Sequence, residues 1–418
     1  MSIIDISKKV ANEGPICDHC LGRQFGQLST GLTNDKRGHA IRLTLLMEAD
    51  RLKKEGVEEP FIKNVFNNNE DGCWVCNDIF TELDIWVQKI LVEVNNYEYS
   101  TFLVGTIMSG LLNENEEILW AESSTTHAEP LKSELNREIG KLISKETGKD
   151  VDFTNPDIVI LLNIAENDVK IQVRSIFLYG RYKKLVRGIP QTRWPCRTCK
   201  GKGCVECSYS GKQYQVSVDE LLREPLMNIS RCSDTKFHGA GREDIDALML
   251  GSGRPFVVEG VDPIFRTFDP KLLENEINRC SNGKIEIEGL EFVSKDIIEK
   301  LKSSKADKVY NLKVTFKDTV SEDSLRKAID LISGSTIRQG TPQRVLHRRS
   351  DMIREKKVNY CELLEHYGDY AYIKVDCSSG LYVKELVSGD EGRTEPSLSG
   401  ILEVSSVVEE LDVMDVKI

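Results

Sequence analysis

The sequence predicts an α+β protein of several domains, and three observations carry that prediction. Strand-like segments interrupted by single helices fill the chain beyond residue 212. A helix–strand–turn–strand succession occupies roughly 80 to 188. Two Cys-x-x-Cys pairs bracket a helical stretch in the first eighty residues. Strands interrupted by helices, rather than alternating strictly with them, suit a mixed, mainly antiparallel sheet. At 418 residues the chain exceeds what one core ordinarily serves.

In chain order, Lys36 to Lys54 and Phe80 to Val94 have helical apolar spacing, the second through Ile85, Trp86, Ile90 and Leu91. Tyr99 to Gly105 reads as a strand. Glu129 to Lys145 starts acidic and ends basic, as the helix dipole favours. Asp157 to Ile164 is apolar enough for a buried strand, Asn167-Asp168 makes a turn, and Val169 to Phe177 alternates as a second strand. Pro190, Pro195 and glycines 201, 203 and 211 then break regular structure. The expected domains are therefore 1–79, 80–195, a Cys-bearing linker 196–211, and 212–418. Within the last, Val216 to Leu222, Pro270 to Asn278 and Glu322 to Leu331 read as helices. Arg254 to Gly260, Lys308 to Phe316, Val358 to Glu362, Tyr370 to Val375, Gly400 to Val404 and Val408 to Val413 read as strands.

Apolar content of 40% and charged content of 29% describe a soluble globular chain. No apolar run approaches a membrane span, and the N-terminus lacks a basic-then-apolar signal pattern, so a cytoplasmic protein without a membrane partner is expected. The net charge of −11 argues against a polyanionic partner, but it hides segregation. Arg174 to Gly203 holds nine basic residues and no acid, and Arg338 to Lys357 holds seven against two. Those segments carry +9 and +5, which leaves −25 on the rest. A basic stripe on an acidic body is a footprint for nucleic acid, with Arg174, Arg181, Lys183, Lys184, Arg187 and Arg193 as its candidate contacts; two solvated basic surfaces would read the same way.

Cys17-Asp-His-Cys20 and Cys73-Trp-Val-Cys76 are two half-sites for tetrahedral zinc, since two residues between thiols make a turn that aims both sulfurs at one point. In a reducing compartment such pairing points to metal before disulfide. His19, inside the first pair, is expected to be a bystander. Cys196, Cys199, Cys204 and Cys207 form a tighter quartet among Arg193, Arg197, Lys200 and Lys202, again suited to structural zinc, with a redox role as the alternative.

The segment His238-Gly239-Ala240-Gly241-Arg242-Glu243-Asp244-Ile245-Asp246 sets carboxylates beside an arginine in a pliable backbone. An aspartate there is suited to act as nucleophile or base, or equally as a turn or cap residue. Neither Gly239-Ala-Gly241 nor Gly251-Ser-Gly253 has the spacing of a dinucleotide loop or P-loop, so no nucleotide cofactor is expected.

Asn155-Pro156-Asp157 through Gln172-Val173-Arg174, then Gly180-Arg181-Tyr182-Lys183-Lys184 and Gly188-Ile189-Pro190-Gln191-Thr192-Arg193-Trp194, resemble the end of a THUMP domain, a small α/β module of tRNA-modifying enzymes. The C-terminal half resembles a pseudouridine synthase. Nearly the whole chain, from Cys17-Asp-His-Cys20-Leu-Gly-Arg-Gln-Phe25 onward, is similar to archaeal tRNA pseudouridine synthases of the Pus-ten type. The resemblance implies isomerisation of uridines 54 and 55 in the TΨC arm of tRNA, by a monomer needing no catalytic cofactor. It implies that Asp244 is the catalytic carboxylate, and that Tyr310, in Lys308-Val309-Tyr310, stacks on the target base. Tyr382 and Lys384, in Gly380-Leu381-Tyr382-Val383-Lys384, would border the substrate, with Lys384 pairing the aspartate where most synthases place arginine. Leu398, in Glu395-Pro396-Ser397-Leu398, would close the apolar wall. Arg242 is a further candidate counter-charge. The competing function is a non-catalytic, zinc-dependent RNA-binding or chaperone-like protein, which needs no carboxylate in a glycine loop.

Overall fold

Alternate residues are buried along β1 (Thr101–Ile107), so one face of the strand packs and the other does not. Its sheet adds β2 (Asp150–Val151), β3 (Ile158–Asn163) and β4 (Asp168–Val173) in the order β2-β1-β3-β4, with β3–β4 the antiparallel pair. Helices Leu83–Val94 and Leu131–Thr147 cover it, and Ile90, Phe102, Leu135, Ile139 and Ile160 share a core at 0% exposure. The computed structural model describes residues 2–66, 72–304 and 306–417, and this sheet belongs to the first of two units that part between Arg174 and Ser175.

The same unit carries a helix at Asn34–Lys54, close to the expected 36–54, and helices at Ile3–Asn12 and Gly110–Ser123 that the periodicity reading did not single out. The short helix Asp18–Gly22 crosses the first of these at Gly38, where a Cβ would stand 1.8 Å from the Asp18 carbonyl oxygen. Only glycine permits that approach, and it seats Cys17 and Cys20 against the helix.

The second unit is built on a ten-stranded sheet among the described residues. Its strands are β5 (Ile176–Lys184), β6 (Asp234–Gly239), β7 (Leu248–Val261), β8 (Ile285–Phe292), β9 (Asp307–Phe316), β10 (Thr336–Gln339), β11 (Arg354–His366), β12 (Tyr370–Cys377), β13 (Thr394–Glu395) and β14 (Ser406–Lys417). They run β13-β10-β11-β12-β9-β14-β7-β5-β8, with β6 added on β7, and every pairing is antiparallel except β14–β7. The expected mixed, mainly antiparallel sheet is therefore present.

Two expectations differ from the structure. The strand expected over 169–177 ends at Val173, and β5 crosses into the second unit between β7 and β8, so the units part at 174/175 rather than at 195. Alternation shows that a segment is a strand but not which sheet receives it. Gly400 to Val404, expected as a strand, begins inside the helix Leu398–Leu402, where the Ser397 hydroxyl accepts the Gly400 N–H as an N-cap. No helix among the described residues is long and apolar enough to cross a membrane.

Candidate active site

Asp244 sits on the connection from β6 to β7, and buried partners hold that connection residue by residue. Gly241 has a φ of +75°, a backbone state open to glycine, and its carbonyl accepts the Gln191 amide at 2.9 Å. Arg254, on β7, donates Nη1 to the Ala240 carbonyl at 2.8 Å and Nε to the Glu243 carboxylate at 2.8 Å. The Tyr182 hydroxyl reaches that same carboxylate at 2.8 and 3.0 Å. Burial first, then the Glu243 charge, pushes the Tyr182 phenol well above its ordinary range, so it remains a donor. Glu243 faces inward; its neighbour Asp244 faces the cavity with its side chain 43% exposed.

That cavity encloses about 550 Å³, and Asp244, Arg242, Tyr310, Tyr382 and Lys384 all line it. Two cations flank the Asp244 carboxylate: Lys384 Nζ at 3.5 Å and Arg344 Nη1 at 3.7 Å. Lys384 stands in the first turn of the helix Val383–Ser388 and also donates to Asp246 at 2.9 Å. The preceding Tyr382 is fixed at its backbone, where the buried Gln339 side chain accepts its N–H at 2.8 Å and donates to its carbonyl at 3.0 Å. The Tyr382 hydroxyl accepts from Arg349 at 2.9 Å. Tyr310 comes from β9, opposite Val375 and Val413, and is partly buried against the core while lining the cavity. Burial pushes its hydroxyl above the usual phenol range, which keeps it neutral at physiological pH. Arg242 lies over the Trp194 ring at 5.5 Å, between the cavity and the root of the second Cys quartet.

The cavity brings together Asp244, Arg242, Tyr310, Tyr382 and Lys384, and leaves Leu398 out. Leu398 is 2% exposed within the main core, and the apolar part of the cavity wall comes instead from Val345, Leu381, Val383, Leu411 and Val413. Sequence reading missed Arg344, Arg349, Lys308 and Lys356. The basic segment 338–357 contained three of them, but nothing in its composition says which side chains turn toward Asp244. Arg344 is held there by Glu385, whose carboxylate accepts its Nε at 2.6 Å.

The basic segment 174–203 is less available than its charge suggests. Arg174 pairs with Asp157 at 2.6 Å, Lys183 with Glu288 at 2.7 Å, and Arg187 with Asp412 at 2.6 Å and Glu410 at 3.0 Å. Arg181 donates to the backbone of Ser252, Gly253 and Val416, and Arg193 lies 3.7 Å from Asp219. Lys184 is 0% exposed, and its expected contact with RNA is corrected: a side chain in the core reaches no polyanion. Acids distant in sequence pair with Arg174, Lys183, Arg187 and Arg193 of a block that looks bare along the chain.

Both Cys quartets assemble. The ligand atoms of Cys17, Cys20, Cys73 and Cys76 lie within 4.8 Å of one another, and so do those of Cys196, Cys199, Cys204 and Cys207. Four sulfurs at such spacing suit a tetrahedral thiophilic ion. In the first, Arg23 Nη1 donates to Cys20 Sγ at 2.7 Å, bringing a buried cation beside the thiols. His19 stays outside the cluster, stacked on Phe80 and bonded to Glu134 at 2.8 Å. In the second, the backbone N–H groups of Gly203, Cys204 and Gly211 point at sulfur at 3.2 Å.

Comparison with known proteins agrees with this build. The family model described as Pus10, C-terminal, matches residues 177–417, and that described as Pus10 THUMP domain, archaeal, matches residues 86–163. These matches place the chain among the pseudouridine synthases, which are isomerases. The relative from Methanothrix thermoacetophila, named tRNA pseudouridine synthase Pus10, is 46% identical over 99% of this chain and 94% of its own length. A protein of the same name from Halorubrum lacusprofundi is 40% identical over 100% of this chain and 97% of its own. The chain belongs to the Pus10 family. Among solved structures, a Cbf5-Nop10-Gar1 complex matches at 17% identity over 48% of this chain and 45% of that chain, with a TM-score of 0.30, too low to add to the argument.

Proposed function

We propose that the protein isomerises uridines 54 and 55 in the TΨC arm of tRNA to pseudouridine, with Asp244 as the catalytic carboxylate. One observation carries this reading: an accessible carboxylate flanked by Lys384 and Arg344 faces the same cavity as Tyr310. The reaction breaks the C–N glycosidic bond, turns the freed base and joins its carbon to the same sugar carbon. The C5 hydrogen leaves as a proton and N1 ends protonated, so atoms balance without water or an external nucleophile. The site has to supply a carboxylate, an acceptor for the C5 proton, compensating charge and a surface on which the base turns. Asp244 initiates cleavage, and the two cations offset its charge and the charge that develops opposite it. The target uridine leaves its stack to enter, at a cost of about a few kcal/mol, and the Tyr310 ring recovers part of that by stacking. The exposed lining cations Arg242 and Arg349 meet backbone phosphates.

The THUMP region and the exposed members of Arg174, Arg181, Lys183, Arg187 and Arg193 receive the rest of the tRNA. Both quartets hold zinc in a structural role, which suits a reducing cytoplasm.

The test is single-turnover reaction of wild-type protein and Asp244→Asn with an unmodified tRNA transcript, with pseudouridine located by mass mapping. The wild type should convert positions 54 and 55, and Asp244→Asn should bind the transcript without converting it. Full activity in that variant would reject the assignment.

A further inference from the structure

We propose that Lys184 is a positioning residue, whose buried ammonium fixes where the Asp244 carboxylate stands in the cavity. The proposal rests on the reading of Asp244 as the catalytic group.

Lys184 ends β5 at 0% exposure, and its Nζ donates to the carbonyls of Ile189, Asp244 and Ile245, each at 3.1 Å. An ammonium has three donors and no acceptor, so the three carbonyls use it completely. Its hydrogen-bond partners are all backbone, and the cost of burying the ammonium is offset by those three bonds and by the nearby charges of Glu243 and Asp246. The adjacent Lys183 shows the contrast, for it turns to the other face of the strand and meets Glu288.

The geometry says what the ammonium does. Carbonyls 244 and 245 both point at one nitrogen, which fixes the peptide planes on either side of Ile245. That fixes the backbone from which the Asp244 side chain projects. The third tie, to Ile189, joins the loop to the segment carrying Gln191, which itself holds Gly241. Lys184 is also a rigid anchor, because its backbone pairs with Met249 of β7 and Ile285 of β8. A continuous path thus runs from the sheet interior through the ammonium to the catalytic carboxylate. Reaction rates respond to displacements of about 1 Å with changes of about a hundredfold.

The experiment compares wild type, Lys184→Met and Lys184→Gln on unmodified tRNA transcript with enzyme in excess. Met comes within one atom of the lysine's length without a donor, whereas Gln keeps two N–H groups. Rate constant, reaction amplitude and RNA affinity by filter binding are read separately. Lys184→Met should lose about a hundredfold in rate constant at full amplitude and unchanged affinity, with Lys184→Gln between it and wild type. A purely structural role lowers the folded fraction, so that more total enzyme is needed to saturate the reaction, and leaves the rate constant at saturating enzyme intact; that result would overturn the proposal. If Lys184→Met does not fold, the rate constant of Lys184→Gln decides alone, and a wild-type value rejects the idea. Asp244→Asn is run in parallel: activity there defeats the reading of Asp244, whereas an inactive Asp244→Asn beside a fully active Lys184→Met defeats only the role of Lys184.

Discussion

The Arg254 guanidinium meets the Glu243 carboxylate at 2.8 Å with both side chains 1% exposed, one residue away from Asp244. Burial works against the arginine's charge, but Glu243 more than compensates, and the Arg254 pKa lies above its usual value. Breaking a buried pair by removing one partner costs about 3–5 kcal/mol, because the other charge stays buried. Arg254→Met should therefore destabilise the 175–417 unit by about that much in urea unfolding. The double variant Arg254→Met/Glu243→Gln should recover part of the loss, since no stranded charge remains. Equal loss in the single and double variants would show that the pair does not act as a unit.

Lys384 and Arg344 flank the same carboxylate with different commitments. Lys384 is shared between Asp244 and Asp246, whereas Arg344 is pinned by Glu385, whose side chain is only 6% exposed. Lys384→Met should lower the single-turnover rate by about ten- to a hundredfold with little change in melting temperature. Arg344→Met should lower the rate similarly and also cost about 1–3 kcal/mol of stability, because the Glu385 carboxylate loses its donor. Calorimetry alongside the kinetics separates the two, and an unchanged melting temperature in Arg344→Met would contradict the pinning role.

The pH response of Asp246 follows from the same lysine. Partial burial raises its pKa, but the hydrogen bond and charge of Lys384 outweigh that and hold it below the ordinary carboxylate value. A folded-state pKa below the unfolded one stabilises the fold above the unfolded value, near 4, and the stabilisation fades as pH falls through the folded value. Asp246 is 65% exposed, so the effect is small, below about 1 kcal/mol. Asp246→Asn should melt slightly lower than wild type at pH 7, and the gap should close as the buffer is taken below about pH 4. A gap that widened in acid would reverse the assigned sign.

Much of this site was reached through the family resemblance, whose motifs are short and local, whereas local pattern alone would have left Tyr310 and Tyr382 as ordinary structural aromatics. The glycine-bounded acidic loop, the Lys-Val-Tyr strand and the Gly-Leu-Tyr-Val-Lys turn each carry their pattern within a few residues, and the fold delivers all three to one cavity. What was not legible depends on pairings between distant residues. Tyr182 reaches Glu243 across 61 positions, and Lys184 reaches Asp244 across 60, so a basic block read as a surface stripe contains a core anchor. β5 shows the same limit for the fold, since the segment 176–184 was not singled out as a strand and its place between β7 and β8 depends on distant partners. The misread strand at Gly400 reflects a short apolar run whose state is decided by the Ser397 cap rather than by its period.

The two Cys quartets should respond differently to loss of metal, because only one belongs to a core. Cys20, Cys73 and Cys76 are part of the hydrophobic core that includes Phe102 and Leu135, whereas none of Cys196, Cys199, Cys204 and Cys207 belongs to the core beneath the ten-stranded sheet. Elemental analysis of the purified protein should find two zinc ions per chain. Cys73→Ser and Cys199→Ser should each remove one, since a hydroxyl is a far poorer ligand than a thiolate. Without metal, the first site leaves thiols packed around the buried Arg23, and the loss should reach the whole 1–174 unit as a lowered melting transition. Cys199→Ser should leave both main transitions near wild type and raise amide exchange only around 196–213, where the knuckle has little else to hold it. A melting transition equally lowered by both variants, or a protein purified with no bound zinc, would show that this division of roles is wrong.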